Sequence, residues 1–135
     1  MFIKEERDKH RVINDFSATH NGVLVNSITP KYVATVELPN TTQLVKFLDN
    51  DGYNNWGAKN DGESFFRQIP LAIDEWCLAC YWWRGNQYVD TRMPWGARRS
   101  ARIAHYFSLA ITHISNKYIP RSLHPYILNY VDDHI

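Results

Sequence analysis

YVDD, at positions 130–133, puts two aspartates side by side at the tip of an apolar run. Adjacent carboxylates repel and raise each other's proton affinity. A hard divalent cation such as Mg²⁺, which prefers carboxylate oxygen, relieves that repulsion. A third acid, Asp61, closes the run NNWGAKND earlier in the chain. If the two acidic ends lie on neighbouring strands, Asp61 and Asp132 can share two metal ions. Such a pair suits in-line phosphoryl transfer, with one ion activating the attacking oxygen and the other stabilising the leaving one. Taken singly, YVDD also reads as a hairpin turn using Asp for its turn propensity, and Asp61 as an ordinary strand-end acid.

The segment MPWGARRSARIAHYFS, at 93–108, is a Pro-x-Gly loop opening a helix. Glycine lets a ligand approach the backbone closely, and Arg98, Arg99 and Arg102 could meet phosphates. A basic first turn is disfavoured by the helix dipole.

The elements that must position these groups are legible in part. LPNTTQLVKFLDNDG predicts a helix capped by Asn40 or Thr41, with Leu44, Val45, Phe47 and Leu48 on its apolar face and Gly52 closing it. NNWGAKND is a candidate strand, and Thr19 to Pro30 reads as loop. WCLACYWW is apolar on both faces, as expected of a strand buried in a sheet. Gly85-Asn86 follows as a type II′ turn, with QYVDT returning. From Arg99 to Ile114, Ser100, Ile103, Ala104, Phe107, Ala110, Ile111 and Ile114 recur close to the helical period. A strand-like run from Tyr126 to Val131 leads into the acids. Mixed strands and helices without a βαβ rhythm predict an α+β fold.

Composition narrows the field. The chain has 135 residues with 15 Lys and Arg against 14 Asp and Glu, a net charge of +1 that says nothing about a nucleic-acid partner. No apolar run approaches the length of a membrane span. The N-terminus is charged from its fourth residue and lacks an apolar signal region, so no membrane partner and an intracellular location are expected. Cys77 and Cys80 form a lone CxxC without the further ligands of a zinc site, and read as small core residues.

In order, RVINDFSA, AKNDGESFFRQIP, RGNQYVDTRMPWGARRSARI and YVDD resemble the successive motifs of reverse transcriptases. Their style is that of tyrosine-recombinase retrotransposons, whose motifs read roughly K-x-D-x-x-x-x-F-R-x-I-P, P-F/W-G-x-R-x-S-A and Y-x-D-D. The likeness runs from about Lys4 to Asp133.

It implies a right-hand polymerase palm with part of the fingers, one partial domain over 1–135: fingers-like to about 55, then palm with some fingers. It implies an RNA-directed DNA polymerase using two Mg²⁺ or Mn²⁺ ions, an RNA or DNA template with its primer, and deoxynucleoside triphosphates. On this likeness Asp61, Asp132 and Asp133 are catalytic metal ligands, and Gly62 offers a backbone carbonyl. Phe66 matches the aromatic gate that excludes a ribose 2′-hydroxyl, although a ring there also suits a core. Arg11 matches the fingers arginine lying against the triphosphate and Lys4 a second cation, both equally readable as solvated charges. Trp95 and Gly96 match the loop beneath nucleotide and template, Ser100 the small residue of its helix, and Tyr130 a residue near the primer end.

Two positions depart from the pattern. Arg102 stands where many relatives have proline. Asn60 replaces an apolar residue before the first aspartate, where a buried strand seldom accepts an unpaired amide.

The likeness further implies that the chain stops before the thumb and primer grip, so this piece alone is expected not to extend a primer. Two other readings compete. One is a two-metal phosphodiesterase with His134 as its base. The other is a non-catalytic retroelement relic that binds nucleic acid weakly.

Overall fold

The computed structural model describes residues 2–6, 9–19, 21–51, 58–120, 127, 129–131 and 133–134. Its strands are β1 (Phe2–Glu6), β2 (Lys9–Ile13), β3 (Asn60–Asp61), β4 (Cys80–Trp83), β5 (Asn86–Val89), β6 (Asn129–Tyr130) and β7 (Asp133–His134). Its helices are α1 (Val25–Ile28), α2 (Thr41–Asp51), α3 (Phe65–Gln68) and α4 (Ser100–Tyr118). Two short 3-10 stretches, Lys31–Val33 and Ile73–Ala79, complete the set. All strand pairs are antiparallel, as β1-β2, β4-β5 and a three-stranded β3-β7-β6 sheet. The fold is α+β. Among the described residues no helix is long and apolar enough to cross a membrane.

The chain divides into two compact units, each built from two segments. The first comprises Met1–Thr35 and Ser64–Ala101, the second Val36–Glu63 and Arg102–Ile135. Phe16, Phe65, Phe66, Ile69, Ala79 and Met93 are the buried apolar residues of the first unit. Burying one such ring removes enough apolar surface to contribute about 1.5–3 kcal/mol. In the second unit, the described buried residues are Ala104, His105, Ser108 and Asn129.

Helix α2 starts where its sequence predicts. The Asn40 carboxamide oxygen accepts the Gln43 backbone N–H at 3.0 Å, while the Gln43 side-chain oxygen accepts the Asn40 N–H at 3.0 Å. This reciprocal box satisfies two backbone donors at once. Gly52, expected to close the helix, lies outside the described residues, as do Asn54 to Gly57 and Tyr126 and Leu128 of the expected strands. The loop expected at Thr19 to Pro30 contains the helical turn α1.

Three expectations are corrected. WCLACYWW is not one buried strand: its first half belongs to the 3-10 stretch, and Cys77 and Cys80 are both exposed. Neither cysteine is therefore the small core residue that the sequence suggests. The β4-β5 turn is Arg84-Gly85, one residue earlier than expected. Its φ values of 51° and 79° make it type I′, whose twist matches the flanking strands.

The third correction concerns α4. The stripe expected to face a core is largely exposed at Phe107, Ile111 and Ile114, while Ser100, Ala104, His105 and Ser108 are buried. The reason lies in what the helix meets. Asn129 of β6 is buried, and its carboxamide oxygen accepts the Thr112 hydroxyl at 2.7 Å and the Ser108 hydroxyl at 3.5 Å. A buried amide requires partners, and these hydroxyls supply them.

Candidate functional site

In the second unit, register brings the distant acids together. Asp61 stands directly opposite Asp133, and Asn60 opposite His134. Tyr130 is the partner of Asp133 on the other side of β7. The chain turns between β6 and β7 through Val131, whose φ is +59°. A β-branched residue there is a genuine backbone outlier, costing about 1–3 kcal/mol unless its surroundings enforce it. Asp132 lies outside the described residues, so its expected neighbour relation to Asp61 rests on Asp133 alone.

Asp61 is exposed and Gly62 half-buried. Asn60 is exposed too, which corrects the expected conflict, because its amide is in contact with water and needs no partner within a buried strand. The Asn129 clasp on α4 fixes β6, the strand that leads into the acidic turn. Asp61 thus shares a strand register with the YVDD turn, and carboxylate oxygen is the donor a hard divalent cation prefers. Among the described residues there is no group of three or more His, Cys, Asp or Glu side chains able to hold a metal ion.

The first unit collects the other expected residues. Phe66, on α3, is 5% exposed and stacks on Trp95 with ring centroids 4.1 Å apart and planes at 27°. Trp95 bridges to Ile13 at the end of β2. Next to it, Gly96 has φ +100°, and a Cβ there would sit 2.3 Å from the Asn14 carbonyl oxygen. Glycine at 96 is therefore required twice over, by dihedral and by contact. Ser100 is buried, and its hydroxyl donates to the Pro94 carbonyl at 3.0 Å, tying the loop to the helix start. In the β1-β2 pair, Lys4 stands opposite Arg11.

Asn26, to which the sequence gives no prominence, holds this loop. Its amide nitrogen donates to the Gly96 carbonyl at 3.0 Å and to the Ser17 hydroxyl at 2.9 Å. Its oxygen accepts the Arg98 backbone N–H at 2.8 Å. Asn14 is buried, and its side-chain oxygen has no hydrogen-bond partner among the described residues. No local pattern announces either asparagine, because two of the three side-chain partners of Asn26, Gly96 and Arg98, lie in a remote segment of the chain. Asn129 sits one residue before YVDD, and its only sequence signal is an amide within an apolar run.

The three arginines expected near phosphates are engaged within the protein. Arg98 donates to the Thr29 carbonyl at 2.7 Å, Arg99 pairs with Glu75, and Arg102 contacts the Tyr106 hydroxyl at 2.7 and 2.9 Å. At the third residue of α4, arginine in place of proline gains this contact one helical turn on. Arg67 forms a further ion pair with Asp90 at 2.5 Å. No protein-family model, curated protein or solved structure matches the chain.

Proposed function

We propose that this chain is palm and fingers of a retroelement reverse transcriptase, an enzyme type that transfers a deoxynucleotide to a primer 3′-hydroxyl, and that by itself it does not extend a primer. The observation that carries the reading is the register of the acidic strands: Asp61, remote in sequence, stands opposite Asp133 of the YVDD turn. The ordered motifs support it, as does the backbone outlier at Val131 within that turn. Strain maintained at a turn of adjacent acids points to a site.

On this reading Asp61, Asp132 and Asp133, with the Gly62 carbonyl, hold two Mg²⁺ or Mn²⁺ ions. Bound there, the ions supply an activated attacking oxygen and charge neutralisation on the leaving group. The chain's remaining work is positioning, which dominates catalysis of phosphoryl transfer. Phe66, backed by Trp95, is the ring against the sugar that rejects a 2′-hydroxyl. Gly96 gives nucleotide and template a backbone without a side chain, and Ser100 holds its loop to the helix. Lys4 and Arg11, partners in the β1-β2 register, meet the triphosphate. Tyr130 borders the primer end.

Thermal unfolding in the presence of Mn²⁺ tests the metal assignment. A ligand that binds only the folded state at a hundred times its Kd stabilises by about 2.7 kcal/mol. The unaltered protein should gain stability with Mn²⁺, and Asp61→Asn or Asp132→Asn should lose most of that gain, whereas Asp74→Asn should retain it. Without a divalent cation, Asp61→Asn should be at least as stable as the parent, because it removes a like-charge opposition. Identical midpoints with and without Mn²⁺ across a wide concentration range would refute the shared-metal site.

A further inference from the structure

The β4-β5 hairpin, running CYWWRGNQYV from Cys80 to Val89, contains no acidic residue and one cation, Arg84. Side chains alternate between the faces of a strand pair, and directly opposed residues share a face. Tyr81 is opposite Tyr88, and Trp83 opposite Asn86. One face therefore carries Tyr81, Trp83, Asn86 and Tyr88. The other carries Cys80, Trp82, Gln87 and Val89.

The first face is finished as a surface of rings. Tyr81 and Tyr88 stack across the strands with centroids 5.7 Å apart and planes at 18°. Trp83 and Tyr88 are exposed. Arg84 lies over the Trp83 ring, 5.7 Å from its centroid. Its position is itself unusual. The first central residue of a type I′ turn takes positive φ, where Asn, Asp or Gly is favoured and other side chains are strained. Arginine holds that place at φ 51°, and its guanidinium extends the ring surface by one more flat cationic group.

We infer that this face is a stacking platform for unpaired bases of a single-stranded nucleic acid. Aromatic rings on a sheet surface, interleaved with arginine, take bases of any sequence because every base has a π-face. The absence of acids on the hairpin suits a polyanion. A protein partner is disfavoured by the lack of any aliphatic side chain on this face: Val89, the hairpin's aliphatic residue, is on the other one. The inference does not rest on the polymerase reading, since it involves none of the acids and survives if Mn²⁺ does not bind.

Tryptophan fluorescence of the full chain, titrated with short oligothymidylate, oligouridylate and an abasic deoxyribose-phosphate strand of equal length, tests it. Stacking should quench the signal, and both base-bearing strands should bind at least about tenfold more tightly than the abasic one. The tighter of the two identifies DNA or RNA as the preferred source of bases. Trp83→Ala and Tyr88→Ala should each weaken binding about tenfold, while Trp83→Phe, which keeps a ring, should retain most of the affinity. Trp82→Ala, at a site 66% exposed on the opposite face, should bind like the parent. Equal affinity for abasic and base-bearing strands overturns the platform, as does a Trp82→Ala loss matching that of Trp83→Ala. Self-association that disappears in Trp83→Ala without any oligonucleotide binding would assign the face to a protein partner instead.

Discussion

The first unit buries rings and aliphatic chains, Phe16, Phe65, Phe66, Ile69 and Met93, whereas the described buried residues of the second are Ala104, His105, Ser108 and Asn129. Each unit fixes its candidate residues with the means its interior offers. In the first, Phe66 is held by contact with Trp95, and the loop at Gly96 by its approach to the Asn14 carbonyl. In the second, the acids are held by strand register and by hydroxyls aimed at one amide oxygen. Apolar contact is non-directional and sensitive to volume, while a hydrogen-bonded clasp is directional and sensitive to the loss of one partner. The two units should accordingly fail in different ways.

The largest effect is expected at Gly96. Alanine there combines a left-handed dihedral, about 1–3 kcal/mol, with forced displacement of the Asn14 backbone, about 1–3 kcal/mol more. Gly96→Ala should therefore lower stability in chemical denaturation by roughly 4 kcal/mol. A loss below about 1 kcal/mol would mean that this loop moves freely to accept a methyl group, and the contrast between the units would weaken.

The counterpart in the second unit is Asn129→Leu, which keeps volume and removes the acceptor. Leaving the buried Ser108 and half-buried Thr112 hydroxyls with one partner fewer should cost about 1–3 kcal/mol. The simultaneous change Ser108→Ala, Thr112→Val, Asn129→Leu should recover most of that loss, because an apolar set leaves no donor stranded. If the single variant is neutral, polarity is incidental to the second interior.

The shallowest effect is a pH dependence. His105 is buried, its Nδ1 has no partner among the described residues, and burial pushes its pKa below the ordinary 6.5. In the unfolded chain the imidazole gains its proton near 6.5, while the folded state resists protonation to lower pH. The contribution of His105 is thus constant above 6.5 and is lost progressively as pH falls from there through the lowered value. His105→Gln should flatten this part of the acid-side decline in denaturation midpoints. An unchanged acid limb would show that the ring finds water or a partner.

What the sequence makes legible follows the range of the interactions. The Asn40–Gln43 box lies within four residues, and the start of α2 is readable from it. The β4-β5 hairpin is readable too, but its turn is displaced because Gly85 supplies the second, not the first, positive φ. Helix α4 is recognisable by period, yet its buried side is not, since hydrophobicity cannot report that Asn129 awaits the hydroxyls of Ser108 and Thr112. Among the candidate residues, the link between Asp61 and the YVDD turn is legible through paired strand ends. The clamp at Asn26 is not, because its contacts cross the whole intervening segment.

That interleaving has a consequence for the order in which the chain is made. The first unit needs residues from both Met1–Thr35 and Ser64–Ala101, and the second begins before the first is complete. On a ribosome, Asn26 must wait until Gly96 and Arg98 have emerged before its amide can be satisfied. Residues 36–63 are synthesised in the meantime with their own partners still to come. Local elements such as α2 and the β4-β5 hairpin can form during elongation, but pairings across such distances close late and set the pace of folding. Emergence of the late segments Ser64–Ala101 and Arg102–Ile135, rather than the appearance of any single helix, should mark the moment at which both interiors can close.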